Sequence, residues 1–243
     1  MSDDQRKYTP FRPTVSLPVA IFMSNQSSVV SPTGSPFAVA FMFFGNGLVL
    51  ASSFSRMPGI RDQVGATPTQ LAFALVCVGL GSLLGMPFTG RLVDRYSSQW
   101  VSRVATAISM FGWAIIPLAH SVPVLALVLL IAGVGVGSGD VAMNVQGHLV
   151  EQVRRKVLMQ YWHGLFSLGA VAGALAGALA ATLGLPLGWQ LPGVSAVLMV
   201  AMWFATTRYL PDAALRSTVT SSPPSRFLTS HNCSLRSPLR WWK

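Results

Sequence analysis

Leu129 to Gly177, LLIAGVGVGSGDVAMNVQGHLVEQVRRKVLMQYWHGLFSLGAVAGALAG, decides the fold. It reads as two membrane helices joined by a basic loop. In the first, Gly133, Gly137, Asp140, Asn144 and His148 fall at three- and four-residue spacing, which puts them on one helix face. In the second, Gly169, Gly173 and Gly177 form two overlapping small-xxx-small repeats, with His163 and Ser167 one turn apart. Glycines at this spacing let neighbouring helices approach closely in lipid. Asp140 is the one carboxylate well inside an apolar run. An ionisable group there is costly to bury and points to a functional site.

The composition agrees with a membrane protein. Of 243 residues, 51% are hydrophobic and 10% charged, against roughly 25% charged in a soluble domain. Mean hydropathy is +0.53. The net charge of +10 is not gathered on one face but spread over short connections, which argues against nucleic acid as the partner. Cys77 and Cys233 are too far apart and too differently placed for a disulfide or metal spacing. The apolar run Leu17 to Met23 is too short for a cleavable signal.

In chain order, residues 1–35 read as a disordered cytoplasmic tail. Residues 36–210 divide into six spans of about 20 residues each. Span one is Pro36 to Phe54, followed by a polar loop from Ser55 to Thr67. Span two is Pro68 to Phe88, followed by a charged connection from Thr89 to Arg103. Span three is Val104 to Ala119, and Pro117 to Pro123 supply the turn into span four, Val122 to Asn144. Gln146 to Gln160 is a polar connection. Spans five and six are Trp162 to Leu183 and Val194 to Tyr209, separated by breaks at Gly184, Pro186, Gly188, Pro192 and Gly193. Residues 211–243 read as a basic Ser/Pro-rich cytoplasmic tail, or as the product of a shifted reading frame. Fifteen of the 17 Lys and Arg fall on one side of this topology, leaving Arg56 and Arg61 on the other. The positive side faces the cytoplasm, so both termini are expected there.

The connection after span two contains Gly90, Leu92, Asp94, Arg95 and Tyr96. It resembles the signature loop of the major facilitator superfamily, Gly-x-Leu-x-Asp-Arg-[Phe/Tyr]-Gly-Arg-Arg, with Ser97, Ser98 and Gln99 in place of the final Gly-Arg-Arg. Gly139 to Asn144 and His163 to Gly169 look like a bacterial sugar-permease-like branch of that superfamily. The resemblance runs from about Ala38 to Pro211. It implies an all-α membrane protein, six helices forming the N-terminal half of a twelve-span fold whose solute site lies between two halves. It further implies transport of a small solute by alternating access in a bacterial inner membrane, with proton coupling as one option and no cofactor. The partners are then the lipid bilayer, the solute, and a second six-helix half or another copy. The alternative is a truncated, non-transporting membrane protein or a subunit that assembles with another half.

Each candidate residue has a functional and a structural reading. Gly90, Leu92, Asp94, Arg95 and Tyr96 resemble the family's gating loop; structurally, Asp94 caps a helix and neutralises Arg91 and Arg95. Asp140 is a proton or substrate site, or a carboxylate satisfied by Asn144. Asn144 is a substrate contact or a packing amide. His163 is a proton relay or an interfacial residue. An antiparallel hairpin of spans four and five would place His163 beside Asn144 or Val145, with Ser167 nearer Asp140. Asn46, between Gly45 and Gly47, faces the cavity or packs against a helix. Gly133, Gly137, Gly169, Gly173 and Gly177 are helix-packing positions. Arg56 anchors span one at the interface or steers anions.

Other chemistries lack their residues. An intramembrane serine protease needs Gly-x-Ser-Gly on span four and a His on span six. Here span four has Val136-Gly137-Ser138-Gly139, and span six has no His. No nucleotide loop or metal-ligand spacing is present, so the reading is of a protein that is not an enzyme.

Overall fold

The computed structural model describes residues 35–212. The two expected tails therefore lie almost wholly outside the described residues. Seven α-helices appear in that range: α1 (Pro36–Phe54), α2 (Met57–Val64), α3 (Pro68–Tyr96), α4 (Ser98–Ile115), α5 (Val122–Arg154), α6 (Met159–Thr182) and α7 (Leu187–Thr206). A 3-10 turn, Ile116–Leu118, extends α4. Six helices, all but α2, are long and apolar enough to cross a membrane.

The helices begin and end where local chemistry dictates. Pro36 and Pro68 stand in the first turns of α1 and α3, where a missing N–H costs nothing. Thr67 and Gln70 form a reciprocal capping box at the start of α3. Gly65 and Gly184 terminate α2 and α6 at positive φ, a conformation glycine adopts without steric cost.

Several boundaries differ from the sequence expectation, mostly because a helix runs past the end of its apolar stretch. The loop after span one contains α2, pinned by Gln63, whose side chain donates to the carbonyls of Pro117 and Ala119 at 2.9 and 2.8 Å. The charged connection after span two is helical up to Tyr96, and only Ser97 separates α3 from α4. The polar stretch from Gln146 continues α5 to Arg154. Leu187 to Gly193 is the first turns of α7, which passes through Pro192 without ending.

Hydrogen bonds between the helix ends fix the alternation of the spans. Ser35 N–H donates to the Arg208 carbonyl at 3.0 Å, so both ends of the described segment share one face. The α3–α4 junction joins them there through Ser98 and Asp212. On the opposite face, Arg56 donates to the Leu185 carbonyl at 2.7 Å, tying the α1–α2 corner to the α6–α7 turn. Arg56 is buried here, at the corner where span one ends.

Glycine seams hold the bundle together. A Cβ at Gly133 or Gly137 would collide with the backbone of Val78 or Ser82 on α3. Reciprocally, one at Gly81 or Gly85 would strike Leu130 or Val134 on α5. The α1–α6 pair repeats the arrangement: Gly169 and Gly173 press on the carbonyls of Phe44 and Leu48, Gly177 on Ser52 and Ser55, and Gly47 on Phe166. In lipid there is no hydrophobic drive between helices, so this backbone-to-backbone contact is the main source of association. Between the seams lies a core of large side chains, including Phe43, Trp113, Leu129 and Met202, each buried.

Spans four and five do not form a packed hairpin. α5 packs chiefly on α3 and α4, and α6 on α1. The His163 ring lies edge-on to Phe43 of α1, centroids 5.1 Å apart.

Candidate functional site

A cavity of about 130 Å³ opens between α1, α3, α5 and α6. Asn46, Ser82 and Asp140 line it from three different helices, with Leu50, Met143 and Phe166 among the apolar walls. The glycine seams create it. Where Gly137 brings α5 against Ser82, the next turn presents Asp140 to the space between the helices.

Two of the four residues proposed from sequence for solute or proton binding meet here. Asn46 donates to the Met42 carbonyl at 2.9 Å and to Met143 Sδ at 3.5 Å. Its amide is thus held by its own helix and by α5, and it both packs and lines the cavity. Asn144 lies one turn below Asp140 and donates to its carbonyl at 2.8 Å and to its Oδ1 at 3.2 Å. That is the arrangement of a packing amide which also steadies a carboxylate. His163 does not line the cavity, though it lies within electrostatic reach of Asp140. Ser82 has no role in the sequence reading. Its hydroxyl donates to the Gly133 carbonyl at 3.1 Å, bracing the seam beside the cavity.

The gating-loop residues occupy the last two turns of α3. Gly90, Leu92, Asp94, Arg95 and Tyr96 are all exposed. A Cβ on Gly90 would meet nothing within 4 Å, so this surface is open. The Arg95 guanidinium lies over the Tyr96 ring at 5.4 Å, and Tyr96 in turn packs on Trp100. Asp94 stands at the C-terminal end of α3, where a carboxylate opposes the helix dipole. Ser97 accepts from Trp100 N–H, and Asp212 accepts from both the N–H and the hydroxyl of Ser98.

Asp212 belongs to a buried network that no local sequence signal reveals. Gln146, fully buried on α5, donates to Ser98 Oγ at 2.6 Å and to the Leu210 carbonyl at 2.9 Å, and accepts from Leu210 N–H at 3.1 Å. Beside it, Arg103 donates to Thr206 at 2.8 Å and stacks on Trp203. Three segments far apart in sequence are locked together at this end. A Gln at the edge of an apolar run reads as the start of a loop; only its partner 64 residues away shows otherwise.

Ser97 stands where the family motif has Gly, and its φ is 126° with ψ 151°. That region is essentially reserved for glycine, and another residue there stores about 1–3 kcal/mol of strain. Replacing Ser97 by Gly removes the strain and sacrifices a cap bond, for which Gly costs only a few tenths of a kcal/mol. Ser97→Gly is therefore expected to stabilise the bundle by about 1 kcal/mol. Detergent-induced unfolding of the two forms checks it, and a destabilised variant would mean that the Ser97 cap outweighs the strain.

The comparisons with known proteins agree with this geometry. The sequence model of the Major Facilitator Superfamily matches residues 37–240, running past Pro211 into the segment read as a basic tail. The chain is 31% identical over 147 residues to an uncharacterised MFS-type transporter of Yersinia pestis, covering 60% of this chain and 38% of the relative. It is 33% identical over 133 residues to the uncharacterised transporter y4wD of Sinorhizobium fredii, covering 55% and 35%. Over 134 residues it is 30% identical to the major facilitator superfamily domain-containing protein 4A of Mus musculus, covering 54% and 26%. The matched stretch thus spans well under half the length of these relatives. The chain is a multi-pass α-helical membrane protein and belongs to the Major Facilitator Superfamily.

Proposed function

We propose that the chain moves a small solute across a membrane by alternating access, as one six-helix bundle working against another. The observation that carries this is the cavity between α1, α3, α5 and α6, where Asp140 and Asn46 converge inside the membrane-spanning part of the bundle. A carboxylate at that depth is expensive unless it binds a solute or a proton. The second bundle is a separate half or another copy of this chain. It shields the half-exposed Asp140, Asn144 and Asn46, since polar groups left in hydrocarbon cost several kcal/mol each. The open surface of α3 around Gly90, Asp94 and Arg95 meets that partner and gates the cycle. The basic distribution supports a bacterial inner-membrane location with both termini in the cytoplasm.

Asp140 couples solute movement to a proton. The test uses proteoliposomes holding the full chain and a trapped pH dye, challenged with hexoses, polyols and amines in turn. At least one solute should change the internal pH with the wild-type chain and none with Asp140→Asn. Unimpaired coupling in Asp140→Asn would remove Asp140 from the mechanism. No flux of any solute, with or without a proton, would count against transport by this chain.

A further inference from the structure

The hydrogen-bond inventory of the cavity limits what can occupy it. Both protons of the Asn46 amide are spent, on the Met42 carbonyl and on Met143 Sδ. The Ser82 hydroxyl proton is spent on the Gly133 carbonyl. The Asn144 amide has given both of its protons to Asp140. What remains for a ligand is a set of acceptors: the Asn46 carbonyl, the Ser82 lone pairs and the second Asp140 oxygen. Neither the Asn46 carbonyl oxygen nor the second Asp140 oxygen is a buried atom without a partner, so both stay reachable, and Ser82 lines the same cavity. Asp140 is the one ionisable side chain among the lining residues, and no Lys or Arg lines the cavity. His163, the one base within electrostatic reach of Asp140, lies outside the lining, against Phe43.

Size and wall chemistry narrow the choice further. A 150 Å³ apolar cavity holds a benzene-sized molecule, so about 130 Å³ takes roughly five or six non-hydrogen atoms. A hexose is about twice that size and carries hydroxyls on every side. Against Leu50, Met143 and Phe166 those hydroxyls would lose their water without finding partners. A protonated amine has its donors and charge at one end and an apolar body behind. Its ammonium group brings three donors to three acceptors. A cation beside Phe166 also gains from the face of the ring, and the methionine thioether is a soft, adaptable wall.

We infer that this cavity binds the ammonium end of a small primary amine, with Asp140 as its counter-ion and Asn46 and Ser82 as further acceptors. The inference rests on the transport reading for its biological use, but it concerns binding alone and is tested without a gradient.

The full chain in lipid nanodiscs is titrated with n-butylammonium chloride, with n-butanol as the neutral isostere, and with glucose, each at constant ionic strength; sodium chloride is the blank. The ammonium should bind at least about tenfold more tightly than either neutral compound, since a fully paired charge is worth more than a neutral hydrogen bond. Asp140→Asn should abolish this preference for the ammonium over butanol. Met86→Trp, at the exposed rim of the cavity, should block the ammonium without touching Asp140, which keeps the test open if Asp140→Asn does not fold. Tighter binding of glucose, equal binding of butanol, no ammonium binding above the sodium blank, or no effect of either variant would each overturn the assignment. Ammonium binding with no flux in proteoliposomes would leave the site standing and remove only the transport reading.

Discussion

Gly173→Leu should unfold the bundle under conditions in which Ala178→Leu leaves it almost untouched. Both residues are on α6, and Ala178 lies about 140° further round the helix, on an exposed face. At Gly173 even a methyl group would overlap the Leu48 carbonyl oxygen of α1. That obstacle is backbone, so no rotamer change relieves it. The helices must separate, and the contacts at Gly169, Gly177 and Gly47 loosen with them. Overpacking in a tight core typically costs about 1–3 kcal/mol, and backbone collision along a whole seam belongs at or above the top of that range. Gly173→Ala should fall between wild type and Gly173→Leu. Thermal and detergent-induced unfolding of the four proteins side by side decides the matter. Equal losses in Gly173→Leu and Ala178→Leu would mean that α6 packs through another face.

Gln146→Leu should release the far end of the described chain. Leucine roughly matches the volume of glutamine but offers no hydrogen bond. The Leu210 N–H and carbonyl would both lose their partner, and Ser98 and Asp212 would lose a shared donor. A buried polar group left unpaired costs about 1–3 kcal/mol, so two or more together bring the loss to about 3 kcal/mol or more. The matched control is Gln152→Leu, an exposed position on the same helix whose side chain reaches only His148. Gln146→Leu should unfold earlier and be cut faster by trypsin after Arg208, while Gln152→Leu behaves as wild type. Equal cleavage rates would show that the network does not hold the chain after α7.

These two residues mark where the sequence was readable and where it was not. Gly173 belongs to a repeat, and a repeat of glycines in an apolar run announces close approach whatever the partner. Which helix approaches is a tertiary fact; it proved to be α1, which also removed the expected hairpin of spans four and five. The six spans were legible because lipid demands long apolar runs. Their ends were not, because a helix leaving the membrane takes on charged residues and then resembles a loop. Arg91, Asp94 and Arg95 were placed in a connection for that reason, as was Gln146. Asp140 and Asn46 were visible as polar residues in apolar surroundings. That they share a cavity, and that Ser82 joins them, depends on the register of three helices set by the seams.

The length of α5 has a mechanical meaning. Its 33 residues extend about 50 Å, against a hydrocarbon layer of about 30 Å. The surplus lies mostly on the basic side, from Gln146 to Arg154, with no break in the helix. α3, 29 residues long, protrudes beside it and is keyed to it by glycines from both partners. Keyed in this way, the pair would tilt in a bilayer as one stiff rod with Asp140 along its length. A tilt of about 10° at mid-membrane would carry the Arg154 end sideways by roughly 5 Å. A loop in the same place would absorb that motion. A continuous helix would instead carry it to the surface of α3 that bears Asp94 and Arg95.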